Sequence, residues 1–166
     1  MNVPRIEQNF EAFLLLLGRL NYTWTNTESL LVHLIAGLSD IDKETAVVIF
    51  LTLNTTRARV DLVERLAKLE RTDPKTREDI LEKTRRIQKL SGLRNRLNHC
   101  IYSFDPQSGE ARSILMRIAD RKDNIKIGQT TDLDATALKE IEASLEEMAV
   151  LNTDIWALIT KLSYPV

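Results

Sequence analysis

Cysteine, glycine and histidine are scarce in this sequence of 166 residues. Its single cysteine, Cys100, excludes an internal disulfide and a thiolate metal cluster. The five glycines are too widely spaced for a dinucleotide fingerprint or a phosphate-binding loop, which argues against nucleotide-binding α/β folds. The two histidines, His33 and His99, belong to no HExxH, EF-hand or GxSxG pattern, so zinc hydrolases and serine esterases are excluded as well. We expect neither a metal nor a cofactor.

Long apolar runs are also missing. The longest runs are 13–17 and 46–51, whereas a membrane-spanning helix needs about 20 apolar residues. The first ten residues lack a cationic leader followed by an apolar segment, so we predict a cytoplasmic protein without membrane contact. With 43% apolar residues, and 23 basic against 24 acidic side chains, the chain is predicted to form one soluble domain over residues 1–166.

Proline interrupts the chain at only four positions, so long helices are allowed almost throughout. Apolar residues at spacings of three and four predict a first helix over about 4–38. A capping box of Thr25 and Glu28 leaves open whether this helix is continuous through 21–27.

Three further helical segments follow from the same spacing. They cover about 46–69 with a break near 54–56, about 74–102, and the residues after about 134. Asp40 and Asp42 are N-cap candidates for the first of these segments. Asp73, followed by Pro74, is a favourable start for the second, because proline is well tolerated at the first helical position.

Residues 105–132 have a different composition. Turn-forming residues cluster at their start, and two short apolar runs flank a polar stretch; the turn formers are Asp105, Pro106, Ser108 and Gly109. A small β-hairpin or an irregular insertion fits this pattern. The predicted fold class is therefore all-α, an antiparallel bundle of four to five helices with this insertion before the last helix.

Charge is distributed unevenly along the chain. Residues 57–96 hold 13 Lys plus Arg and seven Asp plus Glu, whereas residues 132–154 hold one lysine and seven acids. A positive helix attracts phosphate-bearing partners. The basic and acidic helices can equally attract each other, and the sequence leaves both alternatives open.

The densest polar cluster of the sequence is Arg94-Asn95-Arg96-Leu97-Asn98-His99, near the end of the helix predicted over 74–102. On that helix Asn95, His99 and Tyr102 lie at i, i+4 and i+7 and form one polar stripe. Gln88 and Gly92 extend the stripe backwards. The stripe points away from the apolar seam of the helix, which includes Ile101, so the His99 imidazole is predicted to meet a partner or solvent.

Arg94 and His99 diverge on a straight helix. Arg94 lies at the edge of the apolar seam and needs an anion or a carboxylate. The two residues are about 140° and about 7.5 Å of rise apart, so one chain does not readily aim both at one phosphate. Either the helix distorts near Gly92 or a second subunit completes the site. Since Gly92 lets a symmetric helix approach closely, a homodimer contact at Gly92 and Gln88 is favoured.

Arg94, four intervening residues and His99 resemble the Arg-x(4–6)-His motif of the HEPN superfamily, with Asn95 as the polar residue that often follows the arginine. The order of long helices resembles that superfamily too. The resemblance implies a homodimer in which two copies of the motif face each other across a cleft. It also implies a metal-independent endoribonuclease that leaves a 2′,3′-cyclic phosphate, in a toxin, defence or RNA-processing role, with a cognate antitoxin as a further partner.

In such a site His99 would transfer protons and Arg94 would hold the charge of the phosphorane. Asn95 would orient the imidazole or bind a phosphate oxygen. Tyr102 would stack on a base or form a hydrogen bond with His99.

An alternative from another functional class stays open. Arg96 and Asn98 either support the site and its substrate or are ordinary helix surface, and His99 is then a bystander on a solvated face. The chain would in that case be a non-catalytic HEPN-like helical module that binds a nucleotide, RNA or a protein partner.

Overall fold

A computed structural model describes residues 3–105, 107 and 110–166 of the chain. Within them lie six helices, α1 (Val3–Ser29), α2 (Leu31–Ser39), α3 (Lys43–Thr52), α4 (Thr56–Ala67), α5 (Pro74–Asn98) and α6 (Ala135–Lys161). Between α5 and α6 lie three strands, β1 (Cys100–Phe104), β2 (Ala111–Arg121) and β3 (Asn124–Asp132). The predicted helical fold with an insertion before the last helix is thus confirmed in outline, but all-α is too strict a class. None of the described helices combines the length and apolar character that a bilayer crossing requires.

The predicted first helix is in fact two helices. Helix α1 is continuous through 21–27, and the break comes later, at Leu30, whose N–H donates to the carbonyl oxygen of Thr27 at 3.2 Å. The predicted capping box does not start a helix. Its acid, Glu28, instead accepts a hydrogen bond of 2.6 Å from the hydroxyl of Thr56 on another helix.

Local cap chemistry determines where two later helices begin. Asp42 is the N-cap of α3, since its side chain accepts from the Thr45 N–H at 2.8 Å, and this bond lowers the pKa of the Asp42 carboxyl. Asp73 accepts from the first-turn amides of α5, which begins at Pro74 as predicted. Asp40 is not an N-cap. It ends α2 with a φ of 55°, a left-handed conformation that a short polar residue tolerates better than most.

Helix α5 ends four residues earlier than predicted. The chain leaves the helix at Asn98, and β1 pairs with β2 in antiparallel register from Cys100 opposite Leu115 to Phe104 opposite Ala111. Leu97 and Ile101 are four residues apart, a spacing that fits a helix. The residues Cys100–Phe104 fit a strand as well, and their backbone pairing with β2 makes them one. Ile101 therefore lies 52% exposed on β1 and is not part of a helical seam.

The insertion is a three-stranded antiparallel sheet in the order β1-β2-β3. It covers the predicted segment but starts at Cys100. A β-bulge between Leu115 and Ile118 shifts the pairing of β2 with β3. The connection from β1 to β2 is closed by a hydrogen bond of 2.9 Å from the Asp105 N–H to the Glu110 carbonyl oxygen. Three of the predicted turn formers, Pro106, Ser108 and Gly109, lie outside the described residues.

The chain forms two compact units. Unit 1 comprises Met1–Tyr22 and Gly92–Glu146, and unit 2 comprises Thr23–Ser91 and Glu147–Val166. Helices α1, α5 and α6 contribute residues to both units.

Unit 2 is built from helical segments around an apolar core. Its most deeply buried side chains include Trp24, Leu31, Leu34, Ile35, Ile80, Ile87, Met148, Leu151 and Ile155. Charged side chains on neighbouring helices of this unit pair directly. Arg86 Nη1 lies 2.6 Å from Asp154 Oδ2, and Lys89 Nζ lies 3.5 Å from Glu147 Oε1. For these residues the basic α5 and the acidic α6 attract each other, the second of the two alternatives that the charge distribution left open.

Unit 1 packs aromatic rings from α1 against β1. The rings of Phe10 and Phe104 stack at 5.2 Å, and Phe13 meets Tyr102 edge-on at 5.0 Å. Cys100 is only partly buried, at the start of β1. Aromatic side chains of α1 and β1 thus form a small core in the unit that also contains the predicted catalytic residues.

Candidate functional site

The Arg94–His99 segment lies where α5 ends and the chain turns into the sheet. The N–H of His99 donates to the carbonyl oxygens of Asn95 and Arg96, both at 3.2 Å. The carbonyl oxygen of His99 accepts from the Met116 N–H at 2.9 Å. The backbone of His99 is therefore held by the helix on one side and by β2 on the other, while its side chain is exposed.

The predicted polar stripe of Asn95, His99 and Tyr102 is wrong for Tyr102, because α5 ends at Asn98. Tyr102 lies on β1, and its hydroxyl donates to the carbonyl oxygen of Leu97 at 2.6 Å. Burial raises the pKa of Tyr102 to about 12. Its bond to the last turn of α5, together with the contact of its ring with Phe13, gives Tyr102 a structural place in which its hydroxyl is directed to the backbone and not to His99.

Arg94 is half-buried and is oriented by amide side chains. Its Nη1 donates to Asn95 Oδ1 at 3.2 Å. The side-chain amide of Asn98 forms hydrogen bonds with its neighbours when its oxygen faces Arg94. In that orientation Asn98 Oδ1 accepts from Arg94 Nε and from Arg94 Nη2, each at 3.0 Å. Amide oxygens orient a guanidinium without adding negative charge. The arrangement therefore holds the Arg94 side chain in place.

Asn21 on α1 completes this group, and the sequence reasoning missed it. In the same orientation, the Asn98 amide nitrogen lies 3.0 Å from Asn21 Oδ1. Asn21 also donates from Nδ2 to the Leu17 carbonyl oxygen at 3.1 Å. The signal in the sequence that could have pointed to Asn21 is a polar amide directly after Leu20, an apolar residue of the first predicted helix. That signal gave no hint of a partner 77 positions away in the sequence (98 − 21).

The other predicted residues have different positions. Arg96 is exposed and lines a separate cavity together with Cys100 and Glu140. Gly92 is exposed, and beyond its chain neighbours and its own helix backbone no atom of the described residues lies within 4 Å of the place a Cβ would take, so the space beside it is open. Gln88 is exposed as well. The structure thus brings Arg94, Asn95 and Asn98 together and leaves Arg96 and Tyr102 outside their group.

The second histidine of the chain is already engaged. His33 is only 7% exposed, and its Nδ1 lies 2.7 Å from the Pro165 carbonyl oxygen. Its ring packs on Trp156 at 5.2 Å. His33 is therefore a packed structural residue, and of the two histidines only His99 offers an imidazole at the surface. Trp156 itself, which contacts His33, is 40% exposed.

Metal ligands do not cluster in the described part of the chain, where no group of three or more His, Cys, Asp or Glu residues could hold an ion. Comparison of the chain with protein-family models, with curated proteins and with solved structures returned no match.

Proposed function

We propose that this chain is a HEPN-like, metal-independent endoribonuclease that acts as a homodimer, in a toxin or defence role with a cognate antitoxin as partner. The observation that carries the proposal is the pairing of two features at one helix end. The guanidinium of Arg94 is oriented by Asn95 and Asn98, and one turn further along the chain His99 presents an exposed imidazole on a fixed backbone.

The chemistry requires a proton acceptor, a proton donor and a positive charge. The 2′-oxygen of a ribose forms a bond to phosphorus while the bond from phosphorus to the 5′-oxygen breaks. A base takes the proton of the 2′-hydroxyl, and an acid gives a proton to the departing 5′-oxygen. Histidine can fill either role near neutral pH, and the guanidinium of Arg94 can bind the phosphorane oxygens in a bidentate manner. The product is a 2′,3′-cyclic phosphate.

A second copy of the chain supplies the second histidine in this proposal. The reaction uses one imidazole as base and another as acid, yet His33 is buried and bonded to the Pro165 carbonyl oxygen. Two copies of His99, related by a twofold axis, would provide both. The open space beside Gly92 allows the close approach of a symmetric helix.

A second candidate function is a non-catalytic HEPN-like module that binds a nucleotide, RNA or a protein partner. The observation in its favour is the internal pairing of Arg86 with Asp154 and of Lys89 with Glu147. These pairs reduce the positive charge that α5 offers to a long polyanion. In this function the Arg94 group binds one anionic moiety and no bond is broken.

The decisive experiment is cleavage of end-labelled RNA by the purified full chain in the presence of EDTA. We expect products with 2′,3′-cyclic phosphate ends, and no cleavage at a linkage whose 2′-hydroxyl is replaced by hydrogen. His99→Ala should lower the rate by about 10²–10⁴-fold, the usual contribution of a general acid or base. Its stability should hardly change because the side chain is exposed. Arg85→Ala, at an exposed arginine of the same helix, is the matched control for Arg94→Ala.

Two outcomes reject the enzyme. The first is cleavage that persists in His99→Ala, and the second is a wild-type chain that binds RNA without cutting it, which favours the module. The role of the second copy is tested by mixing wild-type and His99→Ala chains under conditions of subunit exchange. If each cleft needs two His99 side chains, activity falls with the square of the wild-type fraction, whereas a linear fall contradicts a shared cleft.

A further inference from the structure

A cavity of about 130 Å³ lies within unit 1, between the sheet, the end of α5 and the start of α6. The strand register explains its floor. Cys100 lies opposite Leu115 and Leu115 lies opposite Gln129, so these three residues form one row across the sheet, and all three line the cavity. Ser113 and Thr131 form the next row and line it as well.

The walls are mainly apolar and the volume is small. Leu97 and Ile141 are buried, and Leu93 and Leu133 are half-buried around the same space. Pockets for drug-sized ligands measure about 300–1,000 Å³. A cavity of about 130 Å³ admits a single flat ring system or a short apolar group, not a whole nucleotide.

The polar lining carries both signs of charge. Arg96 on α5 and Glu140 on α6 are exposed and line the cavity, and no salt bridge involving either is found among the described residues. Gln129 adds an amide. An occupant with apolar faces can therefore meet two N–H donors of Arg96 and two acceptor oxygens of Glu140.

We propose that this cavity binds a guanine base. Guanine presents the acceptors O6 and N7 side by side, a pair that arginine binds in a bidentate manner. Its neighbouring edge carries the donors N1–H and N2–H₂, which suit the carboxylate of Glu140. Adenine, cytosine and uracil lack this combination of an acceptor pair beside a donor pair. The ring faces then contact the leucine side chains, and the sugar and phosphate stay outside.

The inference goes beyond the proposed cleavage and needs neither His99 nor Arg94. A free guanine nucleotide and a guanine in single-stranded RNA present the same two edges, so the shared chemistry is the base itself. Since the binding of the base and the cutting of RNA use different residues, each can fail without the other.

Cys100 provides the readout, because it is the only cysteine of the chain and lines the cavity. Burial raises the pKa of its thiol, so the rate of alkylation by iodoacetamide is measured at mildly alkaline pH. We expect GMP to slow this alkylation in a saturable manner. AMP, CMP and UMP should not, and IMP, which lacks the N2 amine, should protect at least fivefold more weakly than GMP.

Two variants locate the binding. Glu140→Gln should weaken GMP protection at least tenfold, whereas Glu142→Gln, at an exposed acid of the same helix outside the cavity, should leave it unchanged. Ala137→Leu places a larger side chain in the cavity and should abolish protection while the helical circular dichroism is retained.

The source of the base is found with short oligonucleotides. Protection by oligouridine that contains one guanine identifies RNA as a source, and protection by GMP alone identifies the free nucleotide; both results support the inference. It is overturned if GMP does not protect, if AMP protects equally, or if Glu140→Gln behaves like Glu142→Gln. Protection by free leucine in place of GMP also overturns it, because a zwitterion with an apolar side chain would then be the occupant. His99→Ala should keep the protection whether or not the wild-type chain cuts RNA.

Discussion

The two units use their charged side chains in different ways. In unit 2, Arg59 pairs with Glu28 at 3.2 Å and Arg86 pairs with Asp154 at 2.6 Å. In unit 1, the pairs lie at the surface: Arg112, 49% exposed, lies 2.7 Å from Glu110 and 3.2 Å from Asp132. Arg94 contacts the amides of Asn95 and Asn98. Removing one partner of a buried pair costs far more free energy than removing one partner of an exposed pair. Unit 2 thus holds the more deeply buried charge pairs of the two units.

The largest expected effect is the loss of stability caused by a cavity in the core of unit 2. Ile155→Ala removes a fully buried side chain from unit 2 and should lower the free energy of unfolding by about 2–5 kcal/mol. Urea denaturation followed by circular dichroism measures the change. Val150→Ala, at a 55% exposed position of the same helix, is the control and should stay within about 0.5 kcal/mol. A loss below about 1 kcal/mol at Ile155 would contradict the tight packing of unit 2.

The next effect concerns the buried ion pair. The side chains of Glu28 and Arg59 are 11% and 18% exposed, and Arg59 also lies 4.0 Å from the centre of the Phe50 ring. Glu28→Gln removes one charge from this group and should cost about 1.5–3 kcal/mol in urea denaturation.

The exposed pair of Arg57 and Asp61, at 3.9 Å, provides the matched control. Asp61→Asn should change the free energy of unfolding by less than about 1 kcal/mol, because surface pairs contribute little. Equal effects at the two sites would contradict the stabilising role of the buried pair.

A smaller effect is expected in unit 1 and depends on pH. Tyr102→Phe removes the hydrogen bond to Leu97 and should cost about 0.5–1.5 kcal/mol at pH 7. The pKa of Tyr102 rises from 10.0 to about 12 in the folded chain. The neutral hydroxyl therefore stabilises the fold fully below pH 10, and this contribution is lost as the pH rises towards 12.

We therefore measure the free energy of unfolding between pH 7 and about pH 11.5. The values for the wild type and Tyr102→Phe should converge above pH 10, because the pKa of Tyr102 is raised from 10.0 to about 12 in the folded chain. Tyr22→Phe, at a 74% exposed tyrosine, is the control for the general effect of removing a phenolic hydroxyl. Parallel curves for Tyr102→Phe would contradict a buried hydroxyl at the end of α5.

The smallest effect should come from the sheet. Ile118 is 64% exposed on β2, so Ile118→Thr should change the free energy of unfolding by no more than about 0.5 kcal/mol. The same substitution at Ile141, which is 2% exposed in the same unit, should cost more than about 1 kcal/mol because it buries a hydroxyl and removes apolar contact. Similar values at both positions would mean that the outer part of the sheet is covered in solution.

Local chemistry made much of the helical framework predictable. Asp42 and Asp73 accept backbone N–H bonds three residues ahead, and such caps depend only on neighbours in the sequence. The break near 54–56 and the insertion before α6 were also readable, because turn-forming and polar residues interrupt the apolar spacing there. The spacing of Arg94, Asn95 and His99 along the sequence likewise indicated the candidate site.

The geometry of that site depended on contacts that are distant in the sequence. Spacing alone allowed α5 to continue to residue 102, but pairing with β2 turned Cys100–Phe104 into a strand and placed His99 at the helix end. The meeting of Asn98 with Asn21 likewise joins two helices far apart in the chain.

Most helical segments and the caps at Asp42 and Asp73 were predictable from the chain alone, because periodicity and side-chain bonds to nearby amides act over a few residues. Only the tertiary structure decided where α5 stops, which groups orient Arg94, and that a cavity lies between the sheet and Glu140. The physical reason is that strand ladders and helix contacts bring distant residues together, and local preferences for helix and strand are too nearly equal at Cys100–Phe104 to resist them.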